Sequence, residues 1–157
     1  MDRTPSRCLI LACGNTLRRD DGIGPRLAEW AAEQFRAKSS VRVLSRQQWT
    51  PELAEDIADS DSVLFLDCST ESAPGLVKLT LVEPANEPPG LATHHMEAAQ
   101  LLALGRNLYD ALPQSAWMLT VGAGSTDLGE EFSAPVNAAL PGAFRLLEET
   151  VLRMLGE

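Results

Sequence analysis

Short runs of apolar residues recur along the chain and predict the strands of a β-sheet. Four of them are nearly continuous, are bounded by polar residues or glycine, and have the length of strands buried on both faces. They span residues 8–13, 41–44, 62–67 and 117–122. In a fifth run, residues 76–82, apolar and polar side chains alternate, which is typical of a strand nearer the edge of a sheet.

Apolar residues spaced three or four apart predict helices between these strands. Pro25 suits the first turn of one helix, and Thr50 followed by Pro51 predicts the capped start of a second, short helix. Thr93 is the predicted cap of a third helix. The apolar positions of the three longer helices are Ile23, Leu27, Trp30, Ala31 and Phe35 in the first, Leu101, Leu104, Leu108 and Leu112 in the third, and Val136, Leu140, Ala143, Leu147 and Val151 in the last.

The predicted order of elements is β-α-β-α-β-β-α-β-α, and this alternation indicates an α/β fold. Polar segments rich in glycine or proline at 14–22, 83–90 and 122–133 are predicted loops. We expect residues 1–157 to form a single domain, a largely parallel twisted sheet of about five strands sandwiched by helices. Right-handed crossovers would bring the loops after the parallel strands to one edge of the sheet, where a functional site is expected.

Composition and charge narrow the class of partner. The chain has 157 residues, 45% of them hydrophobic, and 22 acidic against 13 basic residues give a formal net charge of −9. Because an acidic protein gains little from phosphate contacts, nucleic acid and anionic membranes are disfavoured, while a basic peptide or a cation is favoured. Three cysteines make no disulfide framework, and no apolar stretch reaches the ~20 residues of a membrane helix. We therefore expect a soluble, cytoplasmic protein.

Polar side chains that could carry chemistry follow the predicted strands. Asp20 and Asp21 lie in the loop after the first strand, Asp67 ends the third strand, and His94 and His95 are the two histidines of the chain. Each has a structural alternative, because the acid pair could complement a helix dipole, Asp67 could stabilise a loop, and a histidine is often structural. No local zinc motif has this spacing, so the residues could form one site only through the fold.

The segment of residues 12–24, Ala-Cys-Gly-Asn-Thr-Leu-Arg-Arg-Asp-Asp-Gly-Ile-Gly, resembles the opening signature of the NiFe-hydrogenase maturation proteases. That signature is a strand followed by Gly-x-Gly-Asn, a leucine, an acidic pair and Gly-x-Gly before a helix. The strand ending in Asp67, and Thr93-His94 after a long loop, match the family's next two landmarks in order. The segment departs from the pattern at Ala12, which replaces the first glycine, and at Asp21, where many members have Glu.

The resemblance implies a cytoplasmic endopeptidase with an α/β fold of the phosphorylase/hydrolase-like type. Such enzymes remove the C-terminal extension of the hydrogenase large-subunit precursor once nickel has been inserted. It also implies that Asp21, Asp67 and His94 are both the catalytic and the metal-site residues, with His94 preferred to His95 from its place in the family pattern. On this hypothesis they engage the nickel of the loaded precursor, although Zn²⁺ or another divalent ion could occupy the same donors.

Gly14 and Asn15 are predicted to bind the substrate. A loop without bulky side chains lets a peptide backbone approach closely, and the Asn15 side chain could bind that backbone. The alternative for Asn15 is a turn residue that holds its own loop. Either a carboxylate acting as general base or a metal-polarised water could activate the attack, and we expect the protein to act as a monomer.

Other functions remain open at this point. A catalytically degenerate homologue, acting as a binding or chaperone module for a metalloenzyme subunit, is suggested by Ala12 and by the lack of an acid after the second strand. The glycine loop also suggests nucleotide binding, but it is neither Gly-x-Gly-x-x-Gly nor a P-loop, and its two acids would repel phosphate. Cys13 or Cys68 could serve as a nucleophile, although a buried cysteine is usually inert.

Overall fold

The computed structural model describes residues 7–86 and 96–157, and within them the predicted order of strands and helices is confirmed. A short 3₁₀ turn, Arg19–Gly22, is added in the loop after the first strand. The strands are β1 (Cys8–Cys13), β2 (Val41–Arg46), β3 (Ser62–Ser69), β4 (Val77–Leu81) and β5 (Ser115–Gly122). The helices are α1 (Ile23–Gln34), α2 (Leu53–Ala58), α3 (Ala98–Tyr109) and α4 (Ala134–Met154).

The five strands form one sheet in the order β2-β1-β3-β5-β4, and the predicted α/β fold class is confirmed. β1, β2, β3 and β5 run parallel, so their carboxyl ends meet at one edge of the sheet. β4 pairs antiparallel with β5 and is the outer strand, as its alternating pattern predicted. None of the helices in the described parts of the chain is long and apolar enough to cross a membrane.

The side chains of the central strands alternate between two apolar layers, one on each face of the sheet. In β1, Cys8, Ile10 and Ala12 pack into the layer that contains α1 and α4. Leu9 and Leu11 pack into the layer that contains α2 and α3, and all five side chains are fully buried. Because both faces are covered, the strand reads as a continuous apolar run instead of an alternating one.

Strand β3 is longer than its apolar run predicted. Cys68 and Ser69 continue the parallel pairing with Val121 and Gly122 of β5, so Asp67 is not the last residue of the strand. The carboxylate therefore stands inside a paired strand, where the backbone fixes its position more firmly than a loop would.

Two predicted helix caps are corrected by the structure. Leu53 donates its N–H to the Thr50 carbonyl, a tight i-to-i+3 turn, so α2 begins after that turn and Thr50 does not cap it. Helix α3 is capped by Glu97, whose side chain and that of Gln100 form a reciprocal capping box. The predicted cap Thr93 lies outside the described residues. The helix ends at Tyr109, because Asp110 adopts a left-handed conformation, and the predicted Leu112 falls beyond it.

Candidate active site

Adjacent parallel strands bring Asp21 and Asp67 to the carboxyl edge of the sheet. β1 ends at Cys13 and leads into the 3₁₀ turn that carries Asp21, while its neighbour β3 carries Asp67 one step beyond the Ala12–Leu66 pair. The two carboxylates are close enough for the charge of Asp21 to raise the pKa of Asp67. The fold therefore brings together two of the three side chains that the resemblance assigns to the site.

The fold raises the pKa of the Asp67 carboxyl group, which makes this group better suited to accept a proton. Burial is the main cause that raises its pKa from 3.8 to about 6, and the charge of Asp21 adds to this. A hydrogen bond that the Cys68 N–H donates to Asp67 Oδ1, at 2.7 Å, opposes the rise. At neutral pH such a group is mostly ionised, yet it is a better proton acceptor than an ordinary aspartate.

The loop that carries Asp21 folds tightly back on β1. The Asn15 N–H donates to Asp21 Oδ2 at 2.7 Å, which fixes the carboxylate against the start of the loop. Gly14 has a φ of +154°, and a side chain at this position would overlap with the Asp21 carbonyl oxygen. The glycine of the sequence motif is therefore required to place Asp21.

Asn15 has a structural role in this loop. Its side-chain Oδ1 accepts a hydrogen bond from the Leu17 N–H at 2.9 Å, the pattern of a turn stabilised by asparagine. Gly14 is buried beneath the same loop, and its N–H donates to the Arg46 carbonyl. The predicted substrate contacts of Gly14 and Asn15 stay predictions.

The two acids of the motif have different surroundings. Asp20 is fully buried and its carboxylate accepts four hydrogen bonds, one of them at Oδ1 from the Ser133 N–H. The other three reach Oδ2 from the N–H groups of Gly124 and Ser125 and from the Ser133 hydroxyl. Burial acts to raise the pKa of Asp20, but these hydrogen bonds outweigh it and hold the pKa below 3.8.

Asp20 was named among the candidates from sequence, but its role as a clamp was missed. It ties the turn before α1 to the loop between β5 and α4, more than 100 residues away in the chain. Most of the donors are backbone N–H groups, which leave no signature in a sequence. The structure also bears on the alternative that the acid pair complements the dipole of α1. Gly22 is the N-cap residue of α1, so both acids precede the helix, and no side chain caps it by a hydrogen bond.

A cleft of about 610 Å³ opens beside Asp67. Its lining comes from β3, β4 and β5 and from the residues at the start of α3. Four carboxylates line it, and in the described chain no Lys or Arg does. These acids are Asp67, Glu71, Glu83 and Glu97. The cleft therefore favours a cationic or neutral ligand over an anionic one.

The thiols of Cys13 and Cys68 are poor nucleophiles in this environment. Burial, aided by the charges of Asp21 and Asp67, raises the pKa of each to about 12. The thiolate is the reactive form of cysteine, so both side chains are almost entirely unreactive at neutral pH. This argues against the alternative of a cysteine protease.

The predicted third ligand, His94, and its neighbour His95 lie outside the described residues. Met96, two residues after His94, is buried, lines the cleft, and donates its N–H to the Trp49 carbonyl at 3.0 Å. Within residues 7–86 and 96–157, no three His, Cys, Asp or Glu side chains are placed to hold a metal ion. A complete metal site would need a donor from beyond these residues or from a bound substrate.

Comparison with known proteins places these features in context. No family model matches the chain. The hydrogenase 2 maturation protease of Escherichia coli (strain K12) is 31% identical over 97 residues, which are 60% of this chain. The match spans 57% of the length of that protein.

Solved structures extend the likeness to nearly the whole chain. A hydrogenase-maturating endopeptidase from Escherichia coli matches with a TM-score of 0.74 and 26% identity, over 96% of this chain and 94% of that one. A second endopeptidase structure from Escherichia coli gives a TM-score of 0.70 and 26% identity over 95% and 91% of the two chains. A hydrogenase maturation protease from Thermococcus kodakarensis KOD1, 22% identical, shares the fold, with a TM-score of 0.66 over 97% and 94%. The resemblance that the sequence motif predicted is confirmed.

Proposed function

We propose that this chain, which resembles the NiFe-hydrogenase maturation proteases in sequence and fold, is an endopeptidase of the same kind. It would remove the C-terminal extension of a NiFe-hydrogenase large-subunit precursor after nickel insertion. The observation that carries the proposal is the meeting of Asp21 and Asp67 at the carboxyl edge of the sheet, with Asp67 facing an acidic cleft. A partly buried pair of like charges is rarely kept for stability alone, since it favours a proton or a cation between the two groups.

The nickel in this proposal belongs to the precursor and reaches the site as part of the substrate. Two carboxylates and one imidazole suit Ni²⁺ or Zn²⁺, so Asp21 and Asp67 would provide two donors and His94 the third. The position of Met96 on the cleft supports this assignment, because it follows His94 by only two residues. A precursor without nickel would lack the group that these donors recognise, so it would not be positioned for cleavage. A free divalent ion such as Zn²⁺ could compete for the same donors.

In the proposed mechanism Asp67 is the general base. Before the nickel-loaded precursor binds, its pKa of about 6 leaves roughly nine in ten molecules with Asp67 ionised at pH 7. Asp67 Oδ2, the oxygen that does not accept the Cys68 N–H, would take a proton from water as the water oxygen attacks the scissile carbonyl carbon. The C–N bond then breaks, and the leaving amine takes the proton back from Asp67. Asp21 contributes its negative charge, which increases the basicity of Asp67.

The proposed setting follows from the partner. We propose that the protein acts as a monomer in the cytoplasm on the folded, nickel-loaded precursor. The acidic lining of the cleft supports a substrate segment with basic side chains.

A cleavage assay with matched variants tests the proposal. The large-subunit precursor from the same source, with and without nickel, is incubated with wild type and with Asp21→Asn, Asp67→Asn and His94→Gln. Asp61→Asn is the control for charge, because Asp61 is exposed and precedes β3 at the opposite edge of the sheet. His95→Gln is the control for His94. We expect loss of a C-terminal peptide from the nickel-loaded precursor only, and a decrease of at least about 100-fold in each of the first three variants.

Two results would contradict the proposal. If wild type binds the loaded precursor but leaves it intact, the chain is a binding module and not a protease. If cleavage persists in Asp67→Asn at the wild-type rate, Asp67 is not the general base. Loss of activity in His95→Gln with retention in His94→Gln would move the third donor by one residue.

A further inference from the structure

The outer edge of β4 presents unpaired backbone groups next to the cleft. The Val82 N–H donates to the Ala116 carbonyl at 2.9 Å, and the Gly122 N–H donates to the Leu76 carbonyl at 2.9 Å, which fixes the hydrogen-bonding phase of the strand. Because paired residues alternate in an antiparallel ladder, the intervening odd-numbered residues turn their N–H and C=O groups away from β5. These residues are Val77, Leu79 and Leu81, and in the described chain no backbone group pairs with them.

This edge is continuous with the candidate active site. Leu81 and Glu83, at the end of β4 and just beyond it, line the cleft that contains Asp67. In the sheet register Lys78 stands level with Thr120 of β5, which stands level with Asp67 of β3. Strands lie about 4.8 Å apart, so a strand added outside β4 would lie about 14 Å from β3. About four extended residues span that distance, so a chain on the edge can lead to Asp67.

The edge is not strongly protected against a partner. Natural edge strands are usually blocked by charged residues, proline or a covering loop. In β4 the one charged residue is Lys78, and Leu81 leaves 52% of its surface exposed. An apolar side chain on an exposed edge favours contact with another strand.

We propose that the outer edge of β4 binds an extended segment of the precursor, close to its cleavage site, as an added β-strand. This inference rests on the proposed function. Backbone pairing gives affinity without demanding a particular sequence, and the four carboxylates of the adjacent cleft select a segment with cationic side chains. The bound strand would hold the chain while the residues about four positions along it reach Asp67.

Amide hydrogen exchange tests the edge directly. The probe is a synthetic peptide with the C-terminal region of the precursor, added to ¹⁵N-labelled Asp67→Asn protein so that the peptide stays intact. We expect the amides of Val77, Leu79 and Leu81 to exchange fast alone and at least about tenfold more slowly with peptide. The amides of Lys78 and Thr80, which already face β5, are internal controls and should change little. Bound peptide without protection of the outward amides, or no binding, would overturn the proposal.

A proline variant and its matched control separate backbone pairing from side-chain contact. Leu81→Pro removes one outward N–H without removing a bond to β5, and edge strands accept proline at such positions. Leu81→Ala loses the same side chain but keeps the N–H. We expect peptide affinity to fall about fivefold more in Leu81→Pro than in Leu81→Ala, the effect of one backbone hydrogen bond. Equal affinities of the two variants would contradict strand addition.

The two proposals fail in distinguishable ways. Cleavage of the precursor by wild type without protection of the edge would leave the protease standing and refute strand addition. Protection of the edge without cleavage would keep strand addition and refute the protease. Protection that appears without peptide and grows with protein concentration would assign the edge to a second copy of the chain and would overturn the proposal.

Discussion

The Asp20 clamp offers a test of how the loops around the site are held together. Its carboxylate is fully buried and accepts hydrogen bonds of 2.6–2.9 Å from Gly124, Ser125 and Ser133. Asp20→Ala removes the acceptor for all four donors, whereas Asp20→Asn keeps the shape and one acceptor oxygen. Comparison of the two therefore separates the loss of charge from the loss of all pairing.

The expected loss of stability depends on the four donor groups that lose Asp20 as their acceptor. Each hydrogen bond to a charged group contributes about 1.5–3 kcal/mol, but the four share one acceptor and some donors regain water when it is removed. We therefore expect Asp20→Ala to lower the free energy of unfolding by about 3–5 kcal/mol and Asp20→Asn by about 2–3 kcal/mol. The control Asp61→Asn, on an exposed side chain, should change it by less than about 0.5 kcal/mol.

Urea unfolding as a function of pH is the assay. The folded pKa of Asp20 is lower than its value of 3.8 in an unfolded chain, so its contribution to stability is complete above about pH 4. That contribution is lost as the pH falls through the folded pKa, and the difference between wild type and Asp20→Asn should shrink there. The clamp would be refuted if Asp20→Asn were as stable as wild type at pH 7, or if the difference in their free energies of unfolding stayed constant down to pH 2.

Three further predictions concern residues near the site. Because the pKa of Asp67 is raised from 3.8 to about 6 on folding, its ionisation lowers stability as the pH rises from about 4 to 6, and the loss is complete above that range. Asp67→Asn should therefore melt at a higher temperature than wild type at pH 7.5 and at the same temperature below pH 4. Gly14→Ala should destabilise the protein by more than about 2 kcal/mol, because the new side chain would overlap with the Asp21 carbonyl oxygen. Gly142→Ala, in α4 with open space around it, should stabilise the protein by about 0.5–1 kcal/mol. Urea unfolding measures both changes, and the same sign for the two variants would contradict the account of the loop. Replacement of Cys13 and Cys68 by alanine should leave the rate of precursor cleavage within about threefold of wild type, and complete loss in either folded variant would restore a thiol nucleophile.

Sequence and structure agree best where burial on both faces of the sheet determines the pattern. The apolar run of β1 predicted both its ends, since polar or glycine residues flank it. The end of β3 was missed because Cys68 and Ser69 are held in the strand by pairing with β5 and not by apolar burial. The spatial meeting of Asp21 and Asp67 followed from the predicted topology. The clamp at Asp20 could not be predicted, because backbone donors distant in sequence create it.

The adjacent acids Asp20 and Asp21 have different roles in the candidate site. Asp20 holds the turn in place and Asp21 acts on Asp67 by its charge, so the clamp is connected to the acidity of Asp67. Burial is the main cause of the raised pKa of Asp67, and the charge of Asp21 adds to it. Like charges separate when a loop is free to relax, so this added part of the rise requires the turn that carries Asp21 to be held in place. Asp20 supplies that restraint through its bonds to the loop after β5.

Asp20→Asn should therefore remove the part of the rise that Asp21 causes, so the pKa of Asp67 should fall below 6 while burial keeps it above 3.8, even though the two side chains share no hydrogen bond in the described structure. Carboxyl ¹³C NMR titration of the folded variant at low urea measures this pKa directly, and Asp61→Asn again serves as the control. A pKa that stays near 6 in Asp20→Asn would mean that burial alone sets the acidity of Asp67, and that Asp20 stabilises the fold without positioning the site.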